Sequence, residues 1–372
     1  MEYIVAIALL AIQSIFTLAH WWLYKTLVRF FEISDPKILL SLKIGLGILS
    51  VLFVLASVLA FRYYNLFTQI FYTLSASWMG FFNFLFFALC LFWITFGLAK
   101  ILSITINPKI LLSALLIIAF IIGIYGLINA RNLKIVRMDI KLPNLPASWQ
   151  GKTAIWVSDI HSGQIWKDKT ALKLVEIINK QNPDMVFIGG DLYDGTATDM
   201  QKIANYFSKI NAPKGVYFIT GNHEEFTKGS KNNEYIDAIK QPGIQVLDNE
   251  KIEIEGLQII GVDYASTRNK QEFKTILENL QIDKSKASIL LKHAPFELNI
   301  AESAGINFQI SGHTHKGQFP PFSWATNLIY HGFNYGFKTY GKMLIYTSSG
   351  AGTWGPPMRV FTQPEIVEFK FE

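Results

Sequence analysis

Five short clusters of histidine, aspartate, asparagine and glutamate carry the side chains able to do chemistry. They read Asp159-Ile160-His161, Gly190-Asp191, Gly221-Asn222-His223-Glu224, Lys292-His293 and Gly312-His313-Thr314-His315, and they hold five of the seven histidines. A single histidine beside a strand is ordinarily a hydrogen-bonded structural residue. Five of them, with two aspartates and an asparagine, make a donor set for divalent cations. Oxygen and imidazole donors suit Mn, Fe, Zn or Ni, and geometry rather than ligand type selects among these. Cys90 is the only cysteine, so a disulfide within the chain and a thiolate metal site are both excluded. An Asp-x-His pair on extended backbone would present both side chains on one face, because the side-chain period there is two. The same reading covers His313 and His315.

Each cluster follows an apolar run, at residues 153–158, 184–190, 216–220, 288–291 and 308–310. Between the first two, Ala171, Leu174, Val175 and Ile178 recur at helix spacing, and Asn182-Pro183 stops the helix. Strand, helix, strand order predicts an α/β fold with crossovers. In such sheets ligands gather at the carboxyl ends of strands, where every cluster lies. Residues 134–142 alternate as a half-buried strand, closed by Pro143 and Pro146. Residues 252–263 read as a hairpin turning at Gly256, and 343–346 and 366–371 as closing strands of a second sheet. Gly163, Gly190, Gly221, Gly312 and Gly317 are expected at tight turns or close approaches.

Charge then divides the chain. Only 17% of the 372 residues are charged, against about 25% in a typical soluble domain. Residues 1–130 hold Glu2, Glu32, Asp35, Lys25, Arg29, Lys37, Lys43, Arg62, Lys100 and Lys109 and no other charge. The expected organisation is a transmembrane module over 1–130, a linker and first strand over 131–150, and a soluble domain over 151–372. A spanning helix needs about 20 apolar residues, so four helices are predicted at 3–24, 38–61, 78–99 and 110–130, with 63–77 a loop or interfacial segment. No basic residue precedes the first apolar run and no cleavage pattern follows it, so it reads as a span rather than a signal peptide.

Lys25, Arg29 and Lys37 after the first span, with Lys100 and Lys109 after the third, point those loops to the cytoplasm and the soluble domain to the outer side. Arg131, Lys134 and Arg137 pull the other way. No acidic residue lies between Asp35 and Asp139, which leaves a cation pathway without candidates. His20, beside Trp21 and Trp22, reads as part of an interfacial aromatic belt. The net charge of +6 sits mostly around the apolar segments, and the soluble part shows no basic stripe for a nucleic acid.

The five clusters in order, D-x-H, G-D, G-N-H-E, H and G-H-x-H, resemble the calcineurin-like metallophosphoesterase superfamily. The tail Thr347-Ser348-Ser349-Gly350-Ala351-Gly352-Thr353-Trp354-Gly355-Pro356-Pro357, then Arg359 and Pro364-Glu365-Ile366, is similar to its bacterial membrane-associated branch. The resemblance implies two packed β-sheets flanked by helices and a dinuclear centre, with manganese favoured. Asp159, His161 and His315 would hold one cation, Asn222, His293 and His313 the other, and Asp191 would bridge both. His223 would face the substrate, and Glu224, where many members have Asp, would fix its ring. Two cations about 3.5–4 Å apart would acidify a bridging water for in-line attack on phosphorus.

The expected function is therefore a membrane-anchored phosphoesterase with a phosphodiester substrate, lipid-linked or nucleotide-linked, and membrane lipid as the other partner. Alternatives are a phosphomonoesterase or pyrophosphohydrolase on the same site, or a non-catalytic receptor or scaffold. A scaffold predicts a missing ligand or a lost His223, and neither is seen. Outside the clusters, Arg359 reads as either a phosphate ligand or a structural arginine, and Asp194 and Asp263 as loop caps. His331 reads as packing within the loop 319–340, which shapes the pocket rim or meets lipid.

Overall fold

The structure, a computed structural model, describes residues 2–194, 199–227, 234–240 and 243–372. The chain forms two compact units, Met1–Ile128 with Gly355–Met358, and Asn129–Trp354 with Arg359–Glu372.

The first unit is helical: α1 (Glu2–Phe30), α2 (Pro36–Arg62), α3 (Leu66–Ile101) and α4 (Pro108–Asn129). Three of these, α2, α3 and α4, are long and apolar enough to cross a membrane by length and composition among the described residues, against the four spans expected. The sequence reading errs on residues 63–77. From Leu66 onward they are the first turns of a 36-residue helix. Asn65 and Thr68 start it with a reciprocal capping box, and Thr73 returns its hydroxyl to the Gln69 carbonyl at 2.7 Å. Their polarity is thus satisfied inside the helix, without a turn. At 1.5 Å per residue α3 is about 54 Å long, well beyond a hydrocarbon core of about 30 Å. His20 packs among aromatic side chains of α3. It is buried, stacked on Phe82 at 3.6 Å, and its Nε2 accepts from the Trp78 indole at 3.1 Å.

The second unit carries twelve strands among the described residues. They are β1 (Lys134–Ile140), β2 (Thr153–Val157), β3 (Met185–Ile188), β4 (Val216–Phe218), β5 (Gln245–Val246), β6 (Glu250–Ile254), β7 (Leu257–Gly261), β8 (Ser288–Leu291), β9 (Phe308–Ser311), β10 (Gly336–Tyr340), β11 (Met343–Thr347) and β12 (Glu365–Phe371). Its helices are α5 (Asp168–Lys180), α6 (Met200–Phe207), α7 (Asn222–Thr227), α8 (Glu234–Lys240), α9 (Tyr264–Thr267), α10 (Lys270–Asn279), α11 (Leu298–Ala304) and α12 (Phe322–Ile329).

Two six-stranded sheets result, in the orders β1-β12-β2-β3-β4-β5 and β10-β11-β9-β8-β7-β6. The first is parallel from β2 to β5, the second from β11 through β9 and β8 to β7. Trp156, Phe187, Ile259, Ile289, Phe308 and Phe369 fill the space between them, all fully buried. The amphipathic helices α5, α6 and α8 cover the outer face of the first sheet, and α10 and α11 that of the second. This is the expected α/β class of two packed sheets flanked by helices. The hairpin turning at Gly256 is present as β6 and β7.

One closing strand is in the other sheet. The expectation put residues 366–371 in the second sheet, whereas β12 joins the first, parallel to β1 and antiparallel to β2. Its alternation explains this. Val367, Phe369 and Phe371 enter the core between the sheets while Ile366 enters the core under α5, so both faces of the strand are buried. Partner choice for such a strand is not written in its own pattern.

Candidate metal centre

The carboxyl ends of β2, β3, β4, β8 and β9 deliver the clustered residues to one place. Asp159, His161 and His315 each offer a ligand atom within 4.8 Å of the others, and so do Asp191, His293 and His313. His161 Nε2 lies 3.0 Å from His315 Nε2. His293 Nε2 lies 3.2 Å from His313 Nδ1, 3.2 Å from Asn222 Oδ1 and 3.4 Å from Asp191 Oδ2. Asp191 Oδ2 is also 3.8 Å from His161 Nε2, so this carboxylate faces both groups. For donors about 2.1 Å from a cation, neighbours sit about 3.0 Å apart in an octahedron and about 3.4 Å apart in a tetrahedron. The donor set fits two divalent cations in both spacing and chemistry.

Neighbours aim these donors. The His293 Nδ1–H donates to the Gly189 carbonyl at 2.8 Å, which turns the Nε2 lone pair toward Asp191 and Asn222. Asp159 accepts from the Ser158 hydroxyl at 2.5 Å and from the His313 backbone N–H at 2.9 Å. Asp191 Oδ1 accepts from the His223 N–H at 2.9 Å. Gly312 permits the close approach: a Cβ there would collide with the Asp159 carboxylate and the Ser158 hydroxyl.

The backbone reason offered for the Asp-x-His spacing does not hold. Asp159, His161, Asp191, His313 and His315 all have φ between +49° and +67°, in the left-handed region. They stand past the strand ends, where β-alternation has stopped. Non-glycine residues hold this conformation only when their surroundings over-determine it, and they concentrate at functional sites.

Burial dominates the electrostatics. It holds the imidazoles of His161 and His313 unprotonated, at about 4 and about 3, and that of His315 well below its usual range. Burial pushes Asp159 up to about 6, against the pull of His293 and with added repulsion from Asp191. At Asp191 burial is overcome by His293, His223 and His161, which keep that carboxyl well below the usual value. His293 differs: burial opposes its charge, but Asp191, Asp159 and the Gly189 carbonyl hold its pKa up at about 9. Ligation requires neutral imidazoles, so His293 must give up a proton as a cation binds, whereas His161, His313 and His315 are already neutral.

His223 stands at the edge of the group, its ring 4.6 Å from that of His161. Burial opposes its charge, but the Asp194 hydrogen bond and the charges of Asp191, Asp194 and Glu224 hold its pKa up at about 9. The carboxylate on its Nδ1 is Asp194, at 3.4 Å. This corrects two expectations, that Glu224 would fix the ring and that Asp194 would only cap a loop. Glu224 is buried and accepts from the backbone N–H groups of Gly221, Asp191, Leu192 and Tyr193 at 2.7–3.4 Å, clamping the β3 loop to the β4 loop. Asp263 is the cap expected, accepting from Ser266 N at the start of α9.

Arg359 resolves as structural. It is fully buried and donates to the carbonyls of Ser349 at 2.6 Å, Gly352 at 2.5 Å and His315 at 3.3 Å. His331 is exposed rather than packed in its loop.

Three residues escaped the sequence reading. A cavity of about 550 Å³ opens beside Asn222 and His313 and is lined by Tyr264 and Arg268. The Tyr264 ring packs edge-on to His293 at 5.7 Å, and Tyr330 packs against His313 at 6.2 Å. The end of β7 supplies the first two and carries no histidine, so a search led by histidine passed over it. The rule that ligands collect at strand ends would have found them.

Residues 153–317 match the family described as Calcineurin-like phosphoesterase. A Campylobacter jejuni protein named an uncharacterized metallophosphoesterase is 32% identical over 258 residues, covering 68% of this chain and 67% of that protein. A Helicobacter pylori metallophosphoesterase is 31% identical over 57% of each chain. A Danio rerio protein named "transmembrane protein with metallophosphoesterase domain" is 28% identical, covering 68% of this chain and 60% of its own length. The fold, the five clusters and these relatives agree: the chain belongs to the calcineurin-like metallophosphoesterases.

Proposed function

We propose that the chain is a membrane-anchored, dinuclear phosphoesterase that hydrolyses a phosphodiester. One observation carries the reading: seven donors from five separate loops converge at spacings that suit two cations. Asp159, His161 and His315 would hold one, Asn222, His293 and His313 the other, with Asp191 between them. Bound divalent cations would supply charge neutralisation at phosphoryl oxygens and acidification of water.

The protein's own groups supply the rest. His223, its Nδ1 held by Asp194, keeps a proton on the ring at neutral pH. Its Nε2–H can therefore donate to a phosphoryl or leaving-group oxygen as negative charge develops there. Arg268, exposed on the cavity wall, offers a guanidinium to a second anionic group, and Tyr264 offers an aromatic face to the leaving group. The cavity beside Asn222 and His313 leaves space for a further esterified group, which supports a diester over a monoester. Manganese is the preferred metal. The module of apolar helices supports a lipid-linked substrate, and the Lys and Arg bias of the short loops supports an outward-facing domain.

The full-length protein, reconstituted with Mn, should cleave bis-p-nitrophenyl phosphate and lose that activity on chelation. Turnover of p-nitrophenyl phosphate alone would make it a monoesterase. A folded, metal-loaded protein inert on both esters and on pyrophosphates would sink the hydrolase reading and leave a binding module. Protease accessibility on intact cells tests the outward-facing domain.

A further inference from the structure

The helix α12 is inside-out. It runs Phe-Ser-Trp-Ala-Thr-Asn-Leu-Ile with no charged residue, and none of its side chains is buried. Phe322, Trp324, Leu328 and Ile329 are 47%, 67%, 78% and 65% exposed. The side turned to the protein carries Thr326 instead, whose hydroxyl accepts from the Asn334 amide at 3.2 Å. A helix facing water places its apolar side chains inward and its polar ones outward, so this one is built for an apolar exterior.

The helix is wired to the metal-site motif. Thr314, between His313 and His315, donates its hydroxyl to the Asn334 carbonyl at 2.6 Å, and Asn334 holds Thr326. Gly317, at φ +71°, lets the first residues of α12 lie directly on the motif, since a Cβ there would strike the backbone of Phe322 and Ser323. Tyr330, which follows the helix, is the residue whose ring packs against His313. The matched family region ends at residue 317, so α12 lies beyond it.

We propose that α12 lies in the membrane interface, with Phe322, Trp324, Leu328 and Ile329 immersed in the bilayer, and that it presents the metal-site rim to phosphoesters carried in the membrane. A bilayer is the occupant for three reasons. The same chain carries helices long and apolar enough to span one, and only residues 130–133 separate α4 from β1. Trp324 is exposed and of the aromatic type that settles at headgroup depth. Exposed Lys338, whose ammonium donates to the Gly332 carbonyl just past α12, adds charge suited to anionic headgroups. Immersion stands independently of the hydrolase reading, whereas selection of membrane-borne substrate rests on it.

The test uses the full chain with Cys90→Ser, so that one introduced thiol carries one label. An environment-sensitive fluorophore is placed at Leu328→Cys or, as a control, at exposed Lys173→Cys, in vesicles of phosphatidylcholine and phosphatidylglycerol. The label at 328 should shift to the blue, be quenched by brominated lipid, and resist aqueous iodide at least threefold better than the label at 173. Equal iodide quenching at both positions overturns the proposal. So does protection from both quenchers, which would indicate a protein partner or a second copy. For the substrate half, Trp324→Ser with Leu328→Ser should lower turnover of a phosphodiester carried in the vesicle at least tenfold, with bis-p-nitrophenyl phosphate turnover unchanged. An equal fall on both esters assigns α12 to structure instead. Lipid quenching without any hydrolysis retains the immersion and fails the hydrolase reading alone.

Discussion

Glu224→Gln is the sharpest probe of how this site is held together. Glu224 Oε2 accepts from Gly221 N at 2.7 Å and Asp191 N at 2.8 Å, while Oε1 accepts from Leu192 N at 2.9 Å and Tyr193 N at 3.4 Å. A carboxylate accepts at both oxygens, whereas an amide presents one oxygen and one NH₂. Whichever way the glutamine turns, at least one strong buried N–H loses its acceptor and faces another donor. An orphaned buried donor costs about 1–3 kcal/mol, and the surviving bonds lose their charge assistance. Part of this is offset, because burial and the neighbouring Asp191 already disfavour charge on Glu224 and raise its pKa. The net loss should be about 2–4 kcal/mol. For a domain of this size that is a fall in Tm of about 5–15 °C. Thermal unfolding of the full-length protein in detergent reads it, with exposed Glu176→Gln as the control. Bound metal, counted by elemental analysis after dialysis, should need about 10–100-fold more free Mn to half-saturate, because the clamp sets the loops bearing Asp191 and Asn222. A variant that melts within about 2 °C of the parent would show that the clamp carries no stability.

Two further substitutions separate orientation from ligation. Asp194→Asn should lower turnover about 10–100-fold with bound metal unchanged, since it loosens the His223 ring and spares the donors. Asp194 also lies within 4.8 Å of ligand atoms on His161 and His223, so a loss of metal in this variant would count it among the ligands. Gly312→Ala places a methyl group against the Asp159 carboxylate. It should cost about 1–3 kcal/mol through overpacking and abolish the rise in Tm on adding Mn. Normal stabilisation by Mn would show that the loop relaxes and that the close approach is dispensable.

What could be read from the chain alone was local in origin. Charge is nearly absent from residues 1–130 and ordinary beyond them, so the division into an apolar helical unit and a charged unit of sheets and helices is legible from composition. The donor types and their places after apolar runs are legible because strand, turn and side-chain chemistry are properties of short segments. By contrast, the left-handed backbone at Asp159, His161, Asp191, His313 and His315 is imposed by packing around each loop and leaves no mark in residue type. The same holds for the sheet that β12 enters, the exchange of roles between Asp194 and Glu224, and the inverted face of α12. His161 and His315 stand 154 positions apart, yet their Nε2 atoms are 3.0 Å from one another. Chain chemistry names the donors, but only long-range packing can spend the folding free energy needed to crowd buried imidazoles and carboxylates into one pocket.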